Sequence, residues 1–206
     1  ENLEWLKESP WPVVVCDKDG SDSSSFSADL KCTLSINKGR EAATYLKYII
    51  EYWDELPEYV AFIHGHENAW HQKYPGHLFD AIQYANMNEY DYISLNNYIH
   101  TKTRYNFCPR TMNVDKKGEI MNVDKKGEIG AHPEVFQIIQ DNWHIFKNIL
   151  KTEKCPDYFR FNAGAQFIVS RQAIKKHPQS FYSQLLDFVT HGDDYFKGLA
   201  LEFLWD

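Results

Sequence analysis

The chain has 206 residues, a net charge of −7, 43% hydrophobic residues and an aromatic content of 16%. That length suits one domain whose folding buries about 70% of the surface of the unfolded chain. The acidic balance excludes a protein that grips nucleic acid or an acidic membrane through phosphates, and no run of about 18 apolar residues marks a membrane span.

The first strong pattern is "WPVVVCDKDG", a β-branched run closed by a turn, which predicts a buried strand. The polar "SDSSSFSAD" follows as a loop. In "NKGREAATYLKYIIEYWDELP", Ala43, Leu46, Ile49, Ile50 and Trp53 recur with the 3.6 period of an amphipathic helix that ends at Pro57. "YVAFIHGH" is a second strand, "HLFDAIQYANM" a helix and "YDYISLNN" a short strand. This alternation predicts an α/β sheet with ligands at the carboxyl ends of its strands.

From 112 to 129 the segment "MNVDKKGEI" occurs twice without a difference, too short for a solenoid repeat and expected as a duplicated surface loop. "HPEVFQIIQDNWHIFKNILK" predicts a helix opened by Pro133. "FRFNAGAQFIVSRQAIKKHP" reads as loop, strand and helix start, and "FYSQLLDFV" as helix. Trp5, Trp53 and Trp143 are expected in the core, and His177 at a helix end. The four cysteines, Cys16, Cys32, Cys108 and Cys155, form no Cys-x-x-Cys pair, so free thiols in a reducing compartment are expected. With no signal peptide and Glu1 at the start, the chain reads as a cytoplasmic domain of a longer protein.

The chemistry concentrates where the second predicted strand runs into His64-Gly65-His66. If the extended conformation continues, alternation puts both imidazoles on one side, able to share a divalent ion; the plainer reading is a histidine-rich turn. A His-x-His-x-Asp-His hydrolase needs an aspartate where Asn68 stands, and an amidohydrolase barrel needs about 250 residues. A third chemistry is glycosyl transfer, in which a metal neutralises a diphosphate leaving group. Trp70 and His71 follow closely, suited to stacking on or hydrogen-bonding a sugar.

The stretch "NKGREAATYLKYIIEYWDELPEYVAFIHGHENAWH", with "FNAGAQFIVSRQAI" and "ALEFLWD", resembles a family of uncharacterised fungal, algal and viral proteins related to GT-A glycosyltransferases. The resemblance runs from Asn37 to the C-terminus, apart from the duplicated segment. It implies a single GT-A-like (Rossmann-like) domain over 1–206, with a central mixed sheet flanked by helices. It also implies a UDP-sugar donor, Mn²⁺ or Mg²⁺, and a glycan or glycoprotein acceptor; the viral members imply capsid glycosylation in the host cytoplasm. Asp17 to Gly20 would face base and ribose, with Lys38, Gly39 and Arg40 near the diphosphate. His64 and His66 match the place of the metal-binding Asp-x-Asp, and His191 would complete the shell. Gly164 would let the sugar approach closely and Gln166 would hydrogen-bond it. Glu202, or else Asp194, would be the base for the acceptor hydroxyl.

The literal acidic pairs depart from that pattern: Asp17-Lys18-Asp19 follows the first strand, and Glu89-Tyr90-Asp91 opens another instead of closing it. Two other readings stay open. One is a metal-dependent hydrolase built on His64, His66 and His71. The other is a non-catalytic carbohydrate-binding domain whose aromatics alone hold the ligand.

Overall fold

The structure is a computed structural model that describes residues 3–17, 30–33, 37–69, 71–72, 78–96, 99–103, 138, 141–149, 158–162, 164–192, 195–202 and 205. In chain order come a 3₁₀ turn (Glu4–Glu8), β1 (Val14–Asp17), β2 (Leu30–Thr33), α1 (Arg40–Glu51), β3 (Tyr59–Phe62), α2 (Leu78–Gln83) and β4 (Tyr92–Ser94). Then follow β5 (Ile99–Thr103), α3 (Trp143–Ile149), β6 (Tyr158–Asn162), β7 (Phe167–Ser170), α4 (Arg171–Ile174), α5 (Gln179–Thr190) and α6 (Tyr195–Glu202).

The chain falls into two compact units, Glu1–Ile99 with Asn162–Asp206, and His100–Phe161. The smaller unit contains α3, with Phe146 fully buried, and most of a two-stranded sheet of β5 and β6. The duplicated segment at 112–129 and Pro133 lie outside the described residues.

In the larger unit β7 pairs antiparallel with both β3 and β4, so the sheet order is β3-β7-β4. β1 and β2 form a separate parallel pair with Cys16 opposite Cys32. The mixed α/β class expected from the sequence is present, as a small three-stranded antiparallel sheet with helices rather than a run of paired parallel strands. The free-thiol expectation fails at Cys16, which is disulfide-bonded. The strand β2, "LKCT", lies between the polar segment and α1, a stretch to which the sequence pattern assigns no element.

β7 explains why the middle strand reads as a continuous apolar run: it is covered on both faces. Alternation sends Phe167 to one side, where its ring centre lies 5.3 Å from Phe62, 5.2 Å from Tyr92 and 5.5 Å from Trp205. Tyr45 of α1 closes this cluster, 4.6 Å from Phe62. Ile168 points the other way, into a core of Trp5, Leu6, Leu78, Phe79, Ile82 and Leu95 supplied by the 3₁₀ turn, α2 and the end of β4. Truncating Phe167 to Ala would cost about 3–5 kcal/mol by the usual aromatic-to-alanine scale.

Helix α1 buries Ala42, Ala43, Tyr45, Leu46 and Ile49 and packs on α5 and α6; the expected stripe holds at Ala43, Leu46 and Ile49, while Ile50 and Trp53, the latter beyond the helix end at Glu51, are only partly buried. Two glycines set how closely these helices meet. Gly39, at φ 69°, precedes α1, and a Cβ there would stand 2.9 Å from Ala43 Cβ and Val189 Cγ2. On α6, a Cβ at Gly198 would stand 2.8 Å from the Gly39 carbonyl oxygen. This close crossing brings the first turn of α1 against the last turn of α6, and so Arg40 and Glu41 toward Glu202.

Candidate functional site

One edge of the three-stranded sheet gathers the carboxyl ends of β3 and β4 and the amino end of β7. His64 follows β3, Asn96 follows β4, and Gly164, Ala165 and Gln166 lead into β7. The backbone N–H of His64 donates to Gln166 Oε1 at 3.2 Å, and Leu95 N–H donates to the Gln166 carbonyl at 3.0 Å. Gln166 is fully buried, yet its Nε2 has no hydrogen-bond partner. The buried Nε2 of His64 also lacks one. Unsatisfied buried polar atoms cost about 1–3 kcal/mol each, and a ligand at this edge would supply partners for both.

The three histidines share this edge unequally. The ring centres of His64 and His71 are 5.4 Å apart, and those of His64 and His66 are 6.5 Å apart, with His66 exposed. His71 Nδ1 meets Asn96 Oδ1 at 2.6 Å. Burial, together with the neighbouring His71, His66 and Arg40, lowers the His64 pKa to about 4, with Glu41 opposing, so the ring is neutral at pH 7. A neutral imidazole is the form that binds a metal or accepts a proton.

Charged groups come from the helix ends. Arg40 stands at φ 50°, left-handed for a non-glycine residue, the kind of backbone strain that clusters at functional sites. Its guanidinium lies 3.5 Å from Glu202 and 3.6 Å from Glu41, and over the Tyr195 ring. Glu41 Oε2 is buried, and at 3.6 Å from Arg40 Nε it forms an ion pair but no hydrogen bond. Burial raises the Glu202 pKa to about 7, against the pull of Arg40 and with a further push from Glu41. His64 and Glu202 thus respond to the same two charges, Arg40 and Glu41. Beneath them Tyr45 donates its hydroxyl to the Ala165 carbonyl at 2.7 Å; burial, Glu41 and Glu202 hold that phenol well above its ordinary pKa.

Of the residues expected from the sequence, the structure gathers His64, His66, His71, Gly164 and Gln166 on this edge, and Arg40 with Glu202 at the adjoining helix ends. Lys38 lies just before α1. His191 does not join the histidines: it sits at the end of α5 with Nδ1 bonded to the Asp187 carbonyl at 2.8 Å. Among the described residues no three His, Cys, Asp or Glu side chains are grouped to hold a metal ion. Gly164, at φ 90°, faces Asn96: a Cβ there would stand 3.1 Å from the Asn96 amide.

The Glu89/Asp91 pair lies at the opposite edge. Asp91 accepts from Ser170 Oγ at 2.5 Å and from Lys176 at 3.0 Å, which hold its carboxyl below its ordinary pKa. Asp17 is described only as backbone in β1, and Asp19, Trp70 and Asp194 lie outside the described residues.

Sequence reasoning missed Glu41 and Asn96. Asn96 carried a usable signal, since it opens a polar doublet just past the short strand "YDYISL", where open α/β sheets bind ligands.

No helix among the described residues is long and apolar enough to cross a membrane. No curated protein and no solved structure matches the chain. A family model matches residues 1–206, including the first 36 residues that the resemblance read from the sequence left out, and its description is "Protein of unknown function (DUF3431)". The chain belongs to that family, DUF3431.

Proposed function

We propose that this chain is a GT-A-type glycosyltransferase that moves a sugar from a UDP-sugar to a glycan or glycoprotein hydroxyl. The observation that carries this reading is the gathering of a buried, neutral His64 with His71 beside it, a cationic arginine and a buried carboxylate where β3 and β4 end and β7 begins. Each member has a task in that reaction. Arg40, held between two carboxylates, offsets diphosphate charge. Glu202, poised at about 7, takes the proton of the attacking hydroxyl, since a general base works best with a pKa near the operating pH. Of the two ions the resemblance implies, Mn²⁺ suits imidazole donors better than the oxygen-seeking Mg²⁺, and when bound it would neutralise the charge that develops on the leaving UDP. His64, whose buried Nε2 has no protein partner, and His71 are the side chains that fit such an ion.

The disulfide at Cys16 favours an oxidising compartment over the cytoplasm. The net charge of −7 argues against nucleic acid as the partner.

The test is release of nucleoside diphosphate from UDP-glucose, UDP-galactose, GDP-mannose and GDP-fucose, with Mn²⁺ or with chelator. Uridine-selective release that needs Mn²⁺ is expected; no release from any donor would sink the proposal. The closeness of His71 to His64 favours one rival, a metal-dependent hydrolase. That rival predicts zinc-dependent turnover of a nitrophenyl ester or phosphoester with no nucleotide present.

A further inference from the structure

The Asn96 amide has its orientation dictated by the backbone. Its Nδ2 donates to the carbonyls of Gly164 at 3.1 Å and Gln166 at 2.9 Å. Carbonyl oxygens only accept, so the amide nitrogen must face them and Oδ1 must face His71. Oδ1 also only accepts, so the hydrogen bond at 2.6 Å places a proton on His71 Nδ1. In the neutral ring the lone pair is then on Nε2. Asn96 is 3% exposed, and the glycine at 164 is what leaves room for its amide.

The ring spacings then select between the histidines. With a metal–nitrogen bond of about 2.1 Å and about 1.1 Å more to the ring centre, two imidazoles on one tetrahedral ion stand about 5 Å apart. Even on opposite sides of the ion they reach only about 6.4 Å. His64 and His71, at 5.4 Å, meet the tetrahedral spacing; His64 and His66, at 6.5 Å, stand well beyond it, at the full trans separation, with His66 exposed.

We infer that His64 and His71, rather than His64 and His66, form a two-histidine seat for a transition-metal dication, with Asn96 as the positioning residue that fixes the His71 tautomer. Imidazole nitrogen selects zinc, and less tightly manganese, over magnesium, whose preferred ligands are oxygens. With two protein ligands, the remaining positions are left to water or to oxygens of the substrate, in keeping with the absence of any three-residue metal group among the described residues. The inference rests on the metal half of the proposed function and does not need the nucleotide.

Calorimetry with Zn²⁺, Mn²⁺ and Mg²⁺ alone, added to chelator-stripped protein, tests it separately from donor binding. One Zn²⁺ per chain is expected, bound more tightly than Mn²⁺, with no Mg²⁺ uptake. His66→Ala should stay within about twofold of the parent, while His71→Gln loses at least a hundredfold and Asn96→Ala about 10–100-fold. Equal losses in His66→Ala and His71→Gln, or no preference for Zn²⁺ over Mg²⁺, would overturn the assignment. So would the absence of Zn²⁺ binding, even if UDP still bound. Because Asn96→Ala removes buried bonds, the imidazole ¹⁵N spectrum of the metal-free parent supplies a second readout. It should show His71 protonated at Nδ1; protonation at Nε2 alone would overturn the role of Asn96.

Discussion

The two edges of the β3-β7-β4 sheet use the same kinds of residue to opposite ends. At the edge where β7 ends, every polar group named here is tied down. Ser170 Oγ accepts from Ala173 N–H at 3.0 Å, capping α4, and donates to Asp91. Arg171 donates its backbone N–H to Glu58 and its guanidinium to Leu56, at 2.8 and 3.0 Å. At the edge where β7 begins, His64 Nε2, Gln166 Nε2 and Glu41 Oε2 are buried without hydrogen-bond partners. A carboxylate there is held near neutrality instead of being fully ionised. The first edge contributes stability and the second forgoes it, as expected when a site is preorganised for a ligand that completes its hydrogen bonds.

The sharpest way to break this contrast is to exchange the roles of its carboxylates. Glu202→Gln should lower UDP release by about 10²–10⁴-fold, the usual worth of a general base, and remove a rise of kcat/KM with pH centred near 7. Asp91→Asn at the opposite edge should leave release unchanged. Equal effects of the two substitutions would show that the edges do not differ in function.

Stability against pH sharpens the comparison next. Folded Glu202 keeps its proton up to about pH 7, while the unfolded chain releases it near 4.5. That group therefore makes stability fall by about 3 kcal/mol as pH rises through this window. Folded His64 stays neutral down to about pH 4, while the unfolded chain takes a proton near 6.5, so its contribution rises with pH by a similar amount. Arg40, Glu41, His66 and His71 are the charges acting on the pair. In metal-free protein the two slopes nearly cancel between about pH 4.5 and 6.5. Urea unfolding of Glu202→Gln should expose stability rising with pH, and His64→Gln stability falling with pH. Parallel curves for both variants and the parent would contradict these environments.

Smaller effects separate packing from chemistry. Gly164→Ala forces a residue to φ 90° and presses a Cβ on the Asn96 amide, so a loss of more than about 1 kcal/mol in denaturant unfolding is expected, with weaker zinc binding. Ser170→Ala removes a helix cap and should cost about 1 kcal/mol with no change in zinc or UDP binding.

Much of the molecule was legible in the sequence. The apolar runs of β1, β3 and β7 and part of the α1 stripe follow from local periodicity, His64 and His71 stood out by residue type and position, and Arg40 and Glu202 came only through the family resemblance. What local pattern could not supply was pairing. β7 joins β3 across more than a hundred residues, as the His64–Gln166 bond, 102 apart in sequence, illustrates. Asn96 owes its role to carbonyls 68 and 70 residues away. His66 drew attention through strand alternation, but the chain is no longer a strand after Phe62, so the periodicity that paired it with His64 has ended.

The central claim, that the His64 edge binds a metal–diphosphate, is tested most directly by calorimetric titration of UDP into chelator-stripped protein with and without Mn²⁺, for the parent and His64→Ala. UDP binding that appears only with Mn²⁺, is not matched by CMP and is lost in His64→Ala is the predicted result. Metal-independent UDP binding, or Mn²⁺-dependent binding that survives His64→Ala, would contradict it.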